Sequence, residues 1–396
     1  MSSSVSDRTS TDGLPTVRPA DLAQARDTMR DAARAGHRVL VRGAGTAQSW
    51  GAPVEPVDVV VDTTGLDRLV AYNPADMTVA VGAGMAMADL QDRLEGQRVA
   101  LDAARIPAGA TVGGLLATGD GGPLRASYGT LRDLVIGVTV VLADGTVARS
   151  GGHVIKNVAG YDLTKLFAGS LGSFGLVVEV VLRVHPRPEA SRTLAVPCPV
   201  TEAVRAAGVV LSSPLEPVAV DWHDDRLLVR FEGTTAGAVA RADKARELLG
   251  SGEVLGGDTE EAAWSGLAAL VRGEEGQTVL RAGTRPDQLP EFAGLLGTLA
   301  ERHGVSAALT AGVGVGVTTV ALTGGSPAGH GAVLDGWRAR VLAAGGSVTV
   351  HRAAEGTFEV APAWGPAPAT APLLRSIKQR LDADHRLAPG RFAPWF

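Results

Sequence analysis

The sequence predicts an α+β protein: two small α/β subdomains in its first half, then an α+β domain built on an antiparallel sheet. Three observations lead there. Short β-branched runs alternate with helical patterns and glycine loops as far as residue 188. A change of texture follows at Ala190, just after Pro186-Arg187-Pro188 closes the preceding unit. Two αβ-like stretches of about 80 residues each then fill the second half, in keeping with roughly 150 residues per domain.

Taken in order, residues 1–14 are rich in Ser, Thr and Asp, lack the apolar stretch of a secretory signal, and are expected to be a disordered lead. Residues 20–34 place Leu22, Ala25, Met29 and Ala32 on one helix face, with Pro19 at the start and Gly36 past the end. Apolar runs at 39–41, 57–61 and 78–81 predict strands, and 87–94 a short helix; together they are expected to form the first subdomain. In the second, 112–118 predicts a short helix of small residues. Residues 134–142 (LVIGVTVVL) predict a buried strand turned at Asp144-Gly145 into 146–149. Asp162 is placed to cap a helix over 163–168, and 176–184 (LVVEVVLRV) predicts a further strand. Beyond Ala190, strands are expected at 226–231, 278–281, 318–322 and 347–351, and helices at 236–249, 288–301 and 332–344. A Pro/Ala linker at 361–370 precedes a final amphipathic helix carrying Leu374, Ile377 and Leu381.

Composition excludes several function classes. The 37 Lys and Arg against 42 Asp and Glu give a net charge of −5, which argues against nucleic acid or an anionic membrane as partner. One cysteine, Cys198, leaves no internal disulfide, no Cys-rich zinc site and no resident iron–sulfur cluster. The uncharged stretch 306–323 is rich in Gly and Thr and reads as two strands around a glycine turn, not a transmembrane segment. A cytoplasmic protein is expected, with no metal site.

No Walker A loop, H-E-x-x-H, G-x-S-x-G or C-x-x-C occurs. The loop Gly43-Ala44-Gly45-Thr46-Ala47-Gln48 begins like a dinucleotide fingerprint, but Gln48 stands at the third glycine and no helix follows, which argues against a Rossmann site. Three glycine clusters remain, VRGAGTAQSWG (41–51), PAGATVGGLLATGDGG (107–122) and GGHVIKNVAGYD (151–162). Each alone could be a plain turn. Together, each beside an apolar strand, they suit backbone contact with an anionic ligand such as a pyrophosphate.

The stretch from Ala110 to Pro186, with KNVAGYDL within it, resembles FAD-linked oxidases of the vanillyl-alcohol oxidase/p-cresol methylhydroxylase type. Within them it is most similar to the FAD-binding subunit of glycolate oxidase. VRGAGT and the late LAPGRF match as well, so the likeness covers 15–188 and 372–396. It implies a PCMH-type FAD-binding domain of two α/β subdomains over 15–188, an α+β cap domain with antiparallel sheet over 189–371, and a helix and tail at 372–396 returning to the flavin. Gly43, Ala44, Gly45, Thr46 and Ala47 would wrap the pyrophosphate. Ala110, Thr111, Gly113, Gly114, Thr118 and Gly119 would line the ribityl chain and flavin edge. Val177, next to Gly175, would offer backbone to the adenine; Lys156 and Asn157 lie in the third cluster.

Two departures from the pattern stand out. Ala388 occupies the position before Pro-Gly where the family usually carries Asn. Thr46 stands where covalently flavinylated relatives often carry His, so non-covalent FAD is expected; His153 and Cys198 could react but match no attachment motif. Catalytic relatives carry a His-rich metal motif in the cap that has no counterpart here. For a base and a carboxylate clamp the sequence offers His351, Arg352 and Arg391, each more readily read as a packing or surface residue. The expected function is the FAD-binding subunit of a glycolate-oxidase-like 2-hydroxy-acid dehydrogenase complex, whose partners are a catalytic flavoprotein subunit and an iron–sulfur subunit. The alternatives are a self-sufficient FAD-dependent oxidoreductase acting on a small hydroxy acid or alcohol, and a flavin-free structural subunit.

Overall fold

A computed structural model describes residues 13–154 and 161–396. The chain divides into two compact units, one made of residues up to 121, 128–187 and 366–396, the other of 122–127 and 188–365.

The first unit opens with a small parallel sheet of β1 (Thr16–Val17), β2 (Val39–Arg42) and β3 (Val59–Asp62), in the order β1-β3-β2. Helix α1 (Leu22–Ala35) covers it with Ala25, Met29 and Ala32, spaced three and four apart on one face. The Asp21 carboxylate accepts from the Gln24 N–H at its start, and Gly36, at φ 67°, closes it in the left-handed conformation.

The second sheet has five antiparallel strands. These are β4 (Leu69–Asn73) and β5 (Thr78–Gly82), followed, after β6 (Gln97–Arg98), by β7 (Val135–Val141), β8 (Val147–Gly151) and β9 (Leu176–Arg183), in the order β4-β5-β9-β7-β8. A two-residue strand β10 (His185–Pro186) pairs with β6. The run at 78–81, expected in the first subdomain, therefore belongs to the second sheet, where both of its edges are bonded. Its continuous apolar text suits a strand buried on both faces, and periodicity carries no information about which sheet will bury it.

Helices α2 (Met87–Arg93) and α3 (Val112–Thr118) pack on one face of this sheet through Leu90, Leu115 and Leu116. The chain also forms three one-turn helices, α4 (Arg125–Tyr128), α5 (Leu131–Leu134) and α6 (Thr164–Phe167). The last is shorter than the 163–168 helix expected, and Asp162 accepts from the Thr164 hydroxyl beside it.

The second unit is one eight-stranded sheet in which every pairing is antiparallel. Its strands are β11 (Ala190–Pro197), β12 (Ala219–His223), β13 (Arg226–Gly233), β14 (Glu253–Leu255), β15 (Thr278–Gly283), β16 (Ser306–Gly312), β17 (Val317–Thr323) and β18 (Ser347–Arg352). They run in the order β14-β11-β13-β12-β16-β17-β15-β18. The 306–323 stretch is the β16–β17 hairpin, as its glycines and threonines imply.

Helices α7 (Val200–Leu211), α8 (Thr235–Leu249), α10 (Leu289–Arg302) and α11 (Pro327–Ala343) bury one face of the sheet. On the other face, Ala195 and Leu228 meet Trp264 of α9 (Asp258–Arg272). The chain returns through the single turn α12 (Thr357–Val360) and then α13 (Ala371–Leu381), which belongs to the first unit.

Candidate functional site

The first unit contains a cleft of about 830 Å³ of atom-free space, its open mouth included. Gly43, Ala44, Gly45, Thr46 and Ala47 line it from the loop after β2; Ala110, Thr111, Gly113, Gly114 and Thr118 line it from α3 and its approach; Val177 lines it from β9. Gly119 does not reach the cleft. It ends α3 at φ 64°, a turn that favours glycine.

The two glycine clusters do different work. Among the described residues, none of the five backbone N–H groups from Gly43 to Ala47 donates to a protein acceptor, and the first internal bonds of the loop begin at Gln48 and Trp50. A row of amides left open beside a cavity is a nest for an anion. The N–H groups entering α3 are all taken: Val112 donates to Met85 O, Gly113 to Ala83 O and Gly114 to the Thr111 hydroxyl. This second cluster therefore supplies close approach. A Cβ on Gly43 would sit 2.4 Å from Thr111 Oγ1, and one on Gly113 would sit 2.8 Å from Ala83 Cβ, so the first loop meets the second at Thr111, and α3 meets the chain leaving β5 at Ala83, only because these glycines have none.

Two charged residues of this wall have no motif to announce them. Arg105 and Asp120 form a buried pair at 3.2 Å, with the carboxylate also accepting from Gly121 N–H at 2.8 Å. The Arg105 guanidinium lies 4.6 Å from the ring centre of Trp50, itself buried. Both charged groups line the cleft. Arg105 lay outside any recognisable spacing, while Asp120 sat in a glycine cluster with its partner unidentified.

Arg391 also lines the cleft and is 4% exposed. Its Nη1 donates to the carbonyls of Gln48, Trp50 and Ala52, at 3.0, 2.8 and 3.0 Å. Burial pushes its pKa down to about 10, which leaves it charged at neutral pH. The segment that carries it joins the first sheet: Val39 N–H donates to Arg386 O, and Ala388 N–H donates to Val39 O. Ala388 has φ 44°, a left-handed backbone that Asn tolerates better than Ala.

His351 and Arg352 stand elsewhere, at the end of β18 in the second unit, with His351 buried and its Nε2 3.4 Å from Thr349 Oγ1. Of the third glycine cluster, Lys156 and Asn157 lie outside the described residues, and the described remainder does not line the cleft. His153 is exposed, whereas Cys198 is buried beside Trp222 in the second unit, where burial raises its thiol pKa. Neither lines the cleft. Among the described residues, no cluster of three His, Cys, Asp or Glu is placed to hold a metal, and no helix is long and apolar enough to cross a membrane.

Residues 14–151 match the family model of the FAD binding domain, which makes FAD the cofactor of this chain. The open amides, the glycines that admit close approach and the buried cations fit that group. Over 220 residues, 55% of its length, the chain is 33% identical to glycolate oxidase subunit GlcE of Escherichia coli, covering 61% of that protein. It is 31% identical to a D-lactate dehydrogenase of Archaeoglobus fulgidus (53% of this chain, 47% of that one) and 31% identical to glycolate oxidase subunit GlcD of Bacillus subtilis (50% and 43%). The chain thus spans about half the length of the curated relatives it matches. A solved structure of alkyldihydroxyacetonephosphate synthase superposes with a TM-score of 0.71 over 95% of this chain and 76% of that one, at 17% identity, and shares the fold.

Proposed function

We propose that this chain is the FAD-holding subunit of a 2-hydroxy-acid dehydrogenase complex of the glycolate oxidase kind. The observation that carries the reading is the likeness to glycolate oxidase subunit GlcE over 220 residues, joined to a cleft with open amides. Bound FAD would supply a two-electron acceptor. The chain's own residues bind and orient it. The N–H groups of Gly43, Ala44, Gly45, Thr46 and Ala47 would hold the pyrophosphate. Ala110, Thr111, Gly113, Gly114 and Thr118 would admit the ribityl chain and the flavin edge, and Val177 backbone would meet the adenine. Thr46 in the loop supports non-covalent FAD, since threonine is a poor attachment nucleophile.

Partner chains would complete the assembly, a second flavoprotein subunit and an iron–sulfur subunit. One cysteine in the whole chain leaves onward single-electron transfer to another protein. Two measurements test the reading. Acid precipitation should release the yellow flavin to the supernatant; colour retained in the pellet would show a covalent link. The isolated protein should bind FAD, yet be bleached slowly or not at all by glycolate or D-lactate without oxygen, and partner chains should restore reduction. Fast bleaching of the lone protein would instead favour a self-sufficient oxidoreductase. His351→Ala and Arg352→Ala would then decide whether those residues supply the base and the clamp, with FAD content showing that folding survived.

A further inference from the structure

We propose that Arg391 is the positioning residue of the pyrophosphate loop, not a clamp on substrate. The inference rests on the reading that this cleft holds FAD through residues 43–47. Three carbonyls of the segment just beyond those amides, at Gln48, Trp50 and Ala52, converge on a single nitrogen, Arg391 Nη1, at 2.8–3.0 Å. The other terminal nitrogen, Nη2, lies 3.5 Å from Gln48 Oε1. With the guanidinium engaged by one short segment, it is oriented on the protein and not toward a substrate.

The loop is held only weakly from within. Its internal bonds include Gln48 N–H to Gly45 O at 3.4 Å, Trp50 N–H to Ala47 O at 3.2 Å and the Gln48 side-chain amide to Val41 O at 3.3 Å, all at or beyond the long end of the usual range. Gathering alternate carbonyls on one buried cation turns the oxygens of Gln48, Trp50 and Ala52 away from the anion. The amides of 43–47 remain free to face the cleft. A pyrophosphate would otherwise meet carbonyl oxygens of its own sign. The same segment carries Trp50, whose ring lies against the Arg105 guanidinium, which in turn pairs with Asp120. Arg391 therefore orders two walls of the cleft through one loop.

An ammonium can also serve three acceptors, so lysine is the informative conservative replacement. FAD affinity of apoprotein, its thermal midpoint and the ³¹P shifts of bound FAD are compared for the native protein, Arg391→Met and Arg391→Lys. Arg391→Met should weaken FAD about 10- to 100-fold and move the ³¹P signals. Arg391→Lys should recover most of the affinity and return those signals towards their native positions. Unchanged affinity in Arg391→Met would overturn the proposal. So would equal losses in both variants, which mark a packing role served by shape alone. If Arg391→Met apoprotein does not fold, Arg391→Lys decides alone, with native ³¹P shifts supporting the role and displaced ones refuting it. Failure of the native protein to bind FAD at all would instead sink the reading on which the inference rests.

Discussion

At the residue scale, Gly45 carries the sharpest expectation. It sits at φ 76° in the loop of open amides, with no atom nearer than 4.0 Å to where a Cβ would stand. Space is therefore ample, and the backbone alone forbids a β-branched side chain there, at a cost of roughly 1–3 kcal/mol. Gly45→Val should reorient the amides and yield mostly apoprotein with a near-native circular dichroism spectrum; full FAD occupancy would move the phosphate site elsewhere. His185 gives a pH signature. Burial, then the guanidinium groups of Arg183 and Arg98, push its pKa below 6.5. The folded state binds this proton less readily than the unfolded one. Stability should thus be fully present above pH 6.5 and fall as the pH drops through 6.5 towards the folded value. Urea midpoints at pH 7.5 and 5.5 should differ less in His185→Gln than in the native protein; equal differences would assign the effect to other groups, such as His223, which burial also depresses. Much of the candidate site was legible because glycine clusters are written into the text as runs. The Arg105–Asp120 pair and the three carbonyls on Arg391 were not, since partners 15 and more than 300 positions apart share no local pattern.

At the scale of elements, two glycines hold the first unit's sheets together. A Cβ on Gly84 would lie 1.7 Å from Thr63 O, and one on Gly82 would lie 2.2 Å from Leu66 O. Gly82 N–H and Gly84 N–H bond to Arg68 O and Leu66 O, so the end of β5 runs against the turn that leaves β3 at backbone contact distance. Gly84→Ala must separate them. The expected result is a loss of about 2–4 kcal/mol, read as a lowered urea midpoint, whereas Gly96→Ala, in open space at φ 64°, should cost only its backbone strain. Helix α3 and the β16–β17 hairpin were legible to within a residue, because a small-residue helix and a glycine turn between β-branched runs each have a distinct local signal. Strands β11 and β12 and helices α7 and α9 were not anticipated. Strand β11 reads ASRTLAVP and α9 mixes Trp, Gly and Ser into an acidic start, and both gain their identity from the sheet they join. Likewise, no local text could send the 78–81 run to its distant partner β9.

At the scale of the whole molecule, FAD should act on all three stretches of the first unit, because the cleft draws on residues from each, including Arg391. Hydrogen exchange with and without FAD should therefore slow in the loop at 43–52, beside α3 and in 386–391. Protection confined to residues before 188 would show that the returning segment takes no part. FAD at about 100 times its dissociation constant contributes roughly 2.7 kcal/mol, enough to raise the melting midpoint by about 5–10 °C. The returning segment is held by three buried cations. Lys378 Nζ donates to Ser173 O and Leu387 O and pairs with Asp382, Arg386 reaches His37 O and Ala143 O, and Arg391 gathers the loop. Pro366 lies 179 positions beyond Arg187, the difference of 366 and 187. A ribosome adding roughly 5–20 residues per second needs about 10–35 s to cover that distance. Throughout that interval the nascent first unit lacks the lysine and two arginines that finish it, while the intervening unit, whose own residues are nearly continuous, is being made and is completed first. Cofactor capture is thereby deferred until translation has passed residue 391, so a stalled or prematurely terminated chain should emerge colourless.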